Sequence, residues 1–141
     1  RSLCDWSSDV CSSDLDPNGK YFYDESRGPR LLLLGAGSGI VPMLSIARYA
    51  LESPVPGAEV DVFFSVRTPQ DVIYNDVWKQ LAEKHPNFHC HLTATRARPN
   101  EWTGRHGRIS TDWIRETCGD VSDRVSYICG PGPMVETMEQ I

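Results

Sequence analysis

Two short stretches of this chain carry groups suited to chemistry. In the first, Leu31-Leu32-Leu33-Leu34 leads through Gly35-Ala36-Gly37-Ser38-Gly39 into Ile40-Val41-Pro42. Four apolar residues read as a buried strand, the glycines as a tight turn, and the residues beyond as an apolar-periodic helix. Such a junction aims backbone N–H groups and the positive end of a helix at one point, which is what a phosphate needs. Gly35, Gly37 and Gly39 let backbone approach a ligand, Ser38 adds a hydroxyl, and Pro42 fixes the first helical turn without losing a needed N–H. In the second stretch, Cys129-Gly130-Pro131-Gly132-Pro133-Met134 puts a thiol just past another apolar run and turns the chain at once.

The elements that must position these groups follow from the hydrophobic period. Strands are expected at Leu31–Leu34, Val60–Val66, Phe88–Ala94 and Val125–Ile128. A first helix carries Ile40, Leu44, Ala47 and Leu51 on one face and ends at Pro54 and Pro56. A second starts at Thr68-Pro69-Gln70-Asp71, a capping box with proline in its first turn, and buries Ile73, Val77 and Leu81. Ser110 caps a short third helix bearing Trp113 and Ile114, and a fourth begins near Met134. The arginine-rich stretch from Thr95 to Arg108 reads as a loop. Strands alternating with helices predict an α/β fold with a doubly wound parallel sheet, a Rossmann-like unit with right-handed crossovers. Ligands of such sheets bind at the carboxyl ends of the strands. Gly35–Gly39, Ser65–Arg67, Thr95–Arg96 and Cys129–Met134 all fall on that edge.

The bulk composition narrows the classes. The chain has 141 residues, 40% hydrophobic and 23% charged, with a net charge of −5. This is one domain's worth of chain, with enough apolar residues for a core. An acidic balance argues against a surface that tracks nucleic-acid phosphates, and no apolar run approaches a membrane span. Five cysteines, at 4, 11, 90, 118 and 129, match no zinc or disulfide spacing, so they read as thiols of a reducing cytoplasm. His89 and His91 share one face of a strand, but spacing places no third ligand beside them, and no metal site is expected.

The two glycine- and proline-rich turns, on the first and fourth strands of one α/β unit, resemble the NAD(P)-binding domain of the ferredoxin–NADP reductase superfamily. The resemblance runs from about Asn18 to Ile141 and extends to Ser65-Val66-Arg67-Thr68. It implies an NAD(P)H-dependent flavin oxidoreductase. NAD(P)H binds here, its hydride passes to FAD or FMN on an N-terminal β-barrel that this chain lacks, and electrons go on to a ferredoxin, a haem protein or an oxygenase. It also implies roles: Cys129 beside the reacting nicotinamide carbon, with Gly130, Pro131 and Met134 lining the same pocket, and Ser65 and Arg67 at the adenosine ribose. Arginine there suits a 2′-phosphate and also stacks on adenine; Thr95 and Arg96 join this group. The family domain has a further strand after the helix that begins near Met134, so the domain at residues 31–141 is expected to be truncated before its last strand and inactive alone. Two alternatives stand beside this reading. One is an S-adenosylmethionine-dependent methyltransferase, whose first motif the glycine run also resembles, although Ser65-Val66-Arg67 stands where such enzymes want an acid. The other is a non-catalytic nucleotide-binding fragment.

Residues 16–30 read as a turn-rich connector. Residues 1–15 contain the near-repeat Ser7-Ser8-Asp9-Val10 and Ser12-Ser13-Asp14-Leu15 and resemble translated sequencing-adapter sequence. They are read as a non-native or disordered tail outside the fold.

Overall fold

A computed structural model describes residues 2–5 as a strand, and residues 23–53 and 55–141 in full. A single six-stranded sheet runs through it, in the order β1-β6-β2-β3-β4-β5. Its strands are β1 (Ser2–Asp5), β2 (Arg30–Ala36), β3 (Glu59–Val66), β4 (Phe88–Ala94), β5 (Arg105–His106) and β6 (Val125–Gly130), and every pairing is parallel. Four helices cover it: α1 (Ile40–Glu52), α2 (Asn75–Lys84), α3 (Thr111–Cys118) and α4 (Gly132–Met138). The order reverses at β2, where β3 lies on one side and β6 on the other.

Both faces are buried, which is why the central strands read as continuous apolar runs. Leu31 and Leu33 pack with α1 and α2, alongside Val60, Val62, Phe64 and Tyr127. Leu32 and Leu34 point the other way, to Phe63, Ile128, Trp113 and Ile114 under α3 and α4. Ser110 caps α3 as expected, its Oγ accepting the Trp113 N–H at 3.2 Å.

Three expectations are corrected. First, the Thr68 box does not open α2. Its Thr68 N–H and Oγ1–H both go to Asp71 Oδ2, at 3.0 and 2.9 Å, and they close only the short 3₁₀ turn Pro69–Asp71. Tyr74 then takes a left-handed conformation, φ 58°, which ends any continuous helix, and α2 starts afresh at Asn75 with Trp78 and Leu81 as its buried residues. Second, the loop from Thr95 to Arg108 contains β5. The Thr93 hydroxyl donates towards Gly107 O at 2.7 Å and Arg105 O at 3.2 Å, and this pulls the returning chain onto the edge of β4. Third, Ser2–Asp5 is not outside the fold. It pairs with Tyr127–Gly130, because β6 otherwise presents a row of unpaired backbone groups to solvent. The remainder of the tail and residues 16–22 of the connector lie outside the described residues, as does Pro54. Helix α1 ends at Glu52 with Ser53 as its cap, directly before the prolines, as expected.

Candidate functional site

The glycine turn and the cysteine turn meet at the carboxyl edge of the sheet. Gly35 of β2 is in register with Cys129 of β6, and Ala36 with Ser65 of β3. The three glycines have three different reasons to be glycine. A Cβ on Gly35 would lie 2.7 Å from Ile40 Cδ1, so this position lets α1 settle onto β2. A Cβ on Gly39 would lie 2.4 Å from Cys129 O and 3.3 Å from Cys129 Sγ, so the turn rests on the backbone of β6. Gly37 has φ +58°, and a Cβ there would meet nothing within 4 Å: it is glycine for its backbone angle, and it faces open space. Ser38 beside it is exposed. No side chain caps α1 at Gly39, so the first-turn amides and the helix dipole are directed at that same space. Pro42 is half-buried in the first turn of α1.

Cys129 is 2% exposed. Beyond it the chain turns at Pro131, which α4 uses as its cap. Met134 N–H donates to Pro131 O at 2.9 Å. The Met134 thioether lies over Gly130, where a Cβ would come within 2.9 Å of Sδ and 3.3 Å of Ala36 Cβ. The Cys129 thiol thus lies by Gly39 on the α1 face and the Met134 thioether over Gly130 on the α3 and α4 face, so the cysteine turn closes the end of β2 from both sides.

The other side of the edge is cationic. Ser65 is buried, while the side chains of Arg67, Thr95 and Arg96 are exposed. Two backbone bonds tie the β3 and β4 exits together, Thr95 N–H to Val66 O at 2.9 Å and Arg96 N–H to Arg67 O at 2.8 Å. The Thr95 hydroxyl also turns back to Val66 O at 3.3 Å, so this residue holds the clamp. The clamp places two guanidinium-bearing residues next to each other at the rim. Asp71, the nearest acid after β3, has Oδ2 occupied by Thr68.

Tyr74 belongs to no motif of the sequence. The residue is 44% exposed, and its left-handed backbone sits at the start of α2, on the same edge as Arg67. A non-glycine residue at positive φ is the signal, and sequence does not reveal it. Arg98 and Arg108 are exposed loop residues, and Arg105 lies over the Trp113 ring at 4.7 Å. A depression of about 460 Å³ lies away from this edge, at the amino end of β6 between Arg115, Asp120, Val121 and Ile141.

A doubly wound parallel sheet with a glycine turn at its switch point defines a nucleotide-binding α/β domain. The comparison with known proteins makes the class specific. Residues 33–140 match the family model described as oxidoreductase NAD-binding domain, and the chain belongs to that family. It is 31% identical over 126 residues to NADH-cytochrome b5 reductase 1 of Mortierella alpina, covering 89% of this chain and 42% of that protein. It is 34% identical over 128 residues to the NADH oxidoreductase HCR of Escherichia coli K12, covering 89% and 35%. Among solved structures, the CS-b5R domains of human Ncb5or in the NAD⁺ form align with TM-score 0.74 at 28% identity, over 84% of this chain and 35% of that one. The Amycolatopsis cytochrome P450 reductase GcoB aligns with TM-score 0.71 at 29% identity, over 83% and 34%. The chain therefore spans less than half the length of these relatives. The fold is the nucleotide-binding domain of ferredoxin-reductase type, and the methyltransferase reading is set aside by this family match. Among the described residues, no helix is long and apolar enough to cross a membrane.

Proposed function

We propose that this chain is the NAD(P)H-binding part of a flavin-dependent reductase, working in the cytoplasm with FAD or FMN on a separate domain and passing electrons to a ferredoxin, a haem protein or an oxygenase. One observation carries the reading: the glycine turn and the cysteine corner are packed into a single unit through Gly39 and Cys129. A phosphate held at the first is thereby kept at a fixed distance from whatever reacts at the second. When bound, the nicotinamide supplies a hydride for the flavin. The residues do the positioning. The Gly37–Gly39 backbone and the α1 N-terminus take the pyrophosphate, with Ser38 adding a hydroxyl. Cys129, Gly130, Pro131 and Met134 form the wall against which the nicotinamide lies, and the buried thiol sets the approach of the ring. Ser65, Arg67 and Arg96 take the adenosine end, with Thr95 holding the two arginines together, and Tyr74 offers an aromatic face.

The nucleotide preference follows from the cationic rim. With Asp71 engaged by Thr68, Arg67 and Arg96 form a pair suited to a 2′-phosphate, which leans the domain towards NADPH. The relatives named above carry NADH in their names, so the test compares both. Calorimetry on the purified chain with NADP⁺, NAD⁺ and S-adenosylmethionine should show binding of a pyridine nucleotide and none of S-adenosylmethionine. Binding of S-adenosylmethionine alone would overturn the reading.

A further inference from the structure

Away from the nucleotide edge, the α3 side of the sheet buries a set of groups that the proposed site does not use. Asp61, near the start of β3, is 4% exposed. Side chains from three other parts of the chain converge on its carboxylate. His91 Nε2 of β4 lies 3.0 Å from Oδ1. Arg124 Nη1, just before β6, lies 2.5 Å from Oδ2. Cys118, the last residue of α3, brings its sulfur to the same place: its Sγ, the imidazole nitrogen and a carboxylate oxygen all lie within 4.8 Å of one another. These residues are far apart in sequence, which is why His91 alone gives no sign of a site.

We propose that Asp61, His91 and Cys118 form a binding site for Zn²⁺ or a similar borderline-soft divalent cation. One thiolate, one imidazole and one carboxylate make a donor set that zinc accepts, with water as the fourth ligand. Tetrahedral zinc, with bonds of about 2.1 Å to N or O and about 2.3 Å to S, needs its donors roughly 3.3–3.7 Å apart. The present spacing requires shifts of about an ångström or less, within reach of side-chain rotation at the end of a helix.

The surroundings fit a cation. Arg124 holds Asp61 Oδ2, and the metal would replace the hydrogen bond between Oδ1 and His91; Arg124 Nη2 donates in turn to Glu59 Oε1 at 2.9 Å. This is the outer support that orients a ligating carboxylate. Arg30 bonds both Glu59 and Asp123, so the connected network sets three carboxylates against two guanidinium groups, and an excess negative charge remains. Access exists, because the His91 side chain is 23% exposed and Cys118 is half-buried. On binding, the thiol proton leaves to solvent as the sulfur–metal bond forms; the Nε2 proton that His91 donates to Asp61 is also lost to solvent while Nδ1 takes or keeps one, so a neutral His91 presents its Nε2 lone pair. The metal would pin the end of α3 to β3 and β4.

The test uses the untagged full chain carrying Cys4→Ser and Cys11→Ser, stripped with chelator and titrated with Zn²⁺ by calorimetry, and with Co²⁺ as an optical probe. Expected are saturable Zn²⁺ binding, a rise in melting temperature, and a sulfur-to-cobalt charge-transfer band with the intense visible absorption of tetrahedral Co²⁺. Cys118→Ser should remove that band and weaken Zn²⁺ binding at least about tenfold, His91→Ala should weaken it similarly, and Cys90→Ser should change neither. Absence of saturable binding, a Co²⁺ spectrum without the sulfur band, or binding unaffected by Cys118→Ser would each overturn the proposal and leave the cluster as an ion-pair network. The Co²⁺ spectrum of the chain with Cys118 and His91 intact decides the matter even if a variant fails to fold.

Discussion

At Gly39 the absence of one methyl group joins the two halves of the proposed site. Gly39→Ala must push against the Cys129 carbonyl, and backbone does not yield as a flexible side chain does. The expected cost is about 2 kcal/mol, seen as a lower urea midpoint, together with loss of nucleotide binding. Gly37→Ala has room for its Cβ and carries only the left-handed backbone penalty, about 1 kcal/mol. Equal destabilisation by both would contradict the distinct roles assigned to the two glycines. Cys129→Ala belongs to the same scale. In the chain joined to a flavin-binding barrel, it should slow flavin reduction by at least about tenfold, roughly 1.4 kcal/mol of barrier, with little change in nucleotide affinity. Single-turnover reduction at the unaltered rate would remove the thiol from the site. Arg67→Ala should weaken NADPH more than NADH, and equal weakening would leave the arginine as an adenine contact only.

At the scale of elements, the caps were easier to read than the breaks. Ser110 announces α3 because a hydroxyl before an apolar-periodic run has one obvious use. Ser110→Ala should cost about 1 kcal/mol, lowering the urea midpoint with no change in slope. Thr68 and Asp71 carry an equally clear signal, yet their box closes a turn of its own. The reason is the left-handed break at Tyr74, beyond which Trp78 anchors the start of α2: its Nε1–H reaches back to Ile73 O at 3.0 Å, and its ring stacks on Phe88 of β4 at 6.1 Å. Those contacts fix where α2 begins, and no local pattern encodes them. β5 was illegible for a related reason. Two residues give no periodicity, and what holds them is the Thr93 hydroxyl on the neighbouring strand. The alternating strands and the edge that gathers the glycine and cysteine turns were legible, because parallel strands buried on both faces and punctuated by glycine leave few other solutions. The Asp61–His91–Cys118 cluster was not, since only the tertiary fold brings β3, β4 and α3 to one point.

For the molecule as a whole, the buried charges set the acid limit. Burial pushes the Asp61 carboxyl up, but the bond from His91 and the charge and bond of Arg124 outweigh it, and the net shift is below the ordinary value of 3.8. The folded state therefore gains from an ionised Asp61 above that pH, and loses the gain as pH falls through the lower folded value. Asp61→Asn leaves Arg124 buried beside a neutral partner and should cost roughly 3–5 kcal/mol at neutral pH. The gap between variant and parent should narrow as pH drops below 3.8, and urea midpoints across that range would show it. A gap independent of pH would mean that charge is not what Asp61 contributes.

The parallel pairing of β1 with β6 has a consequence in time. Strands β2, β3 and β4 are neighbours in both sequence and space, so they can assemble as the chain emerges from the ribosome. Of the described strands β1 stands first in sequence, yet its partner among them is β6, the last. Contacts of such long sequence separation form late, because the loop they close is costly until the rest is in place. β1 should therefore be the last strand to dock and the first to detach, so its amides should exchange with solvent well before those of β2.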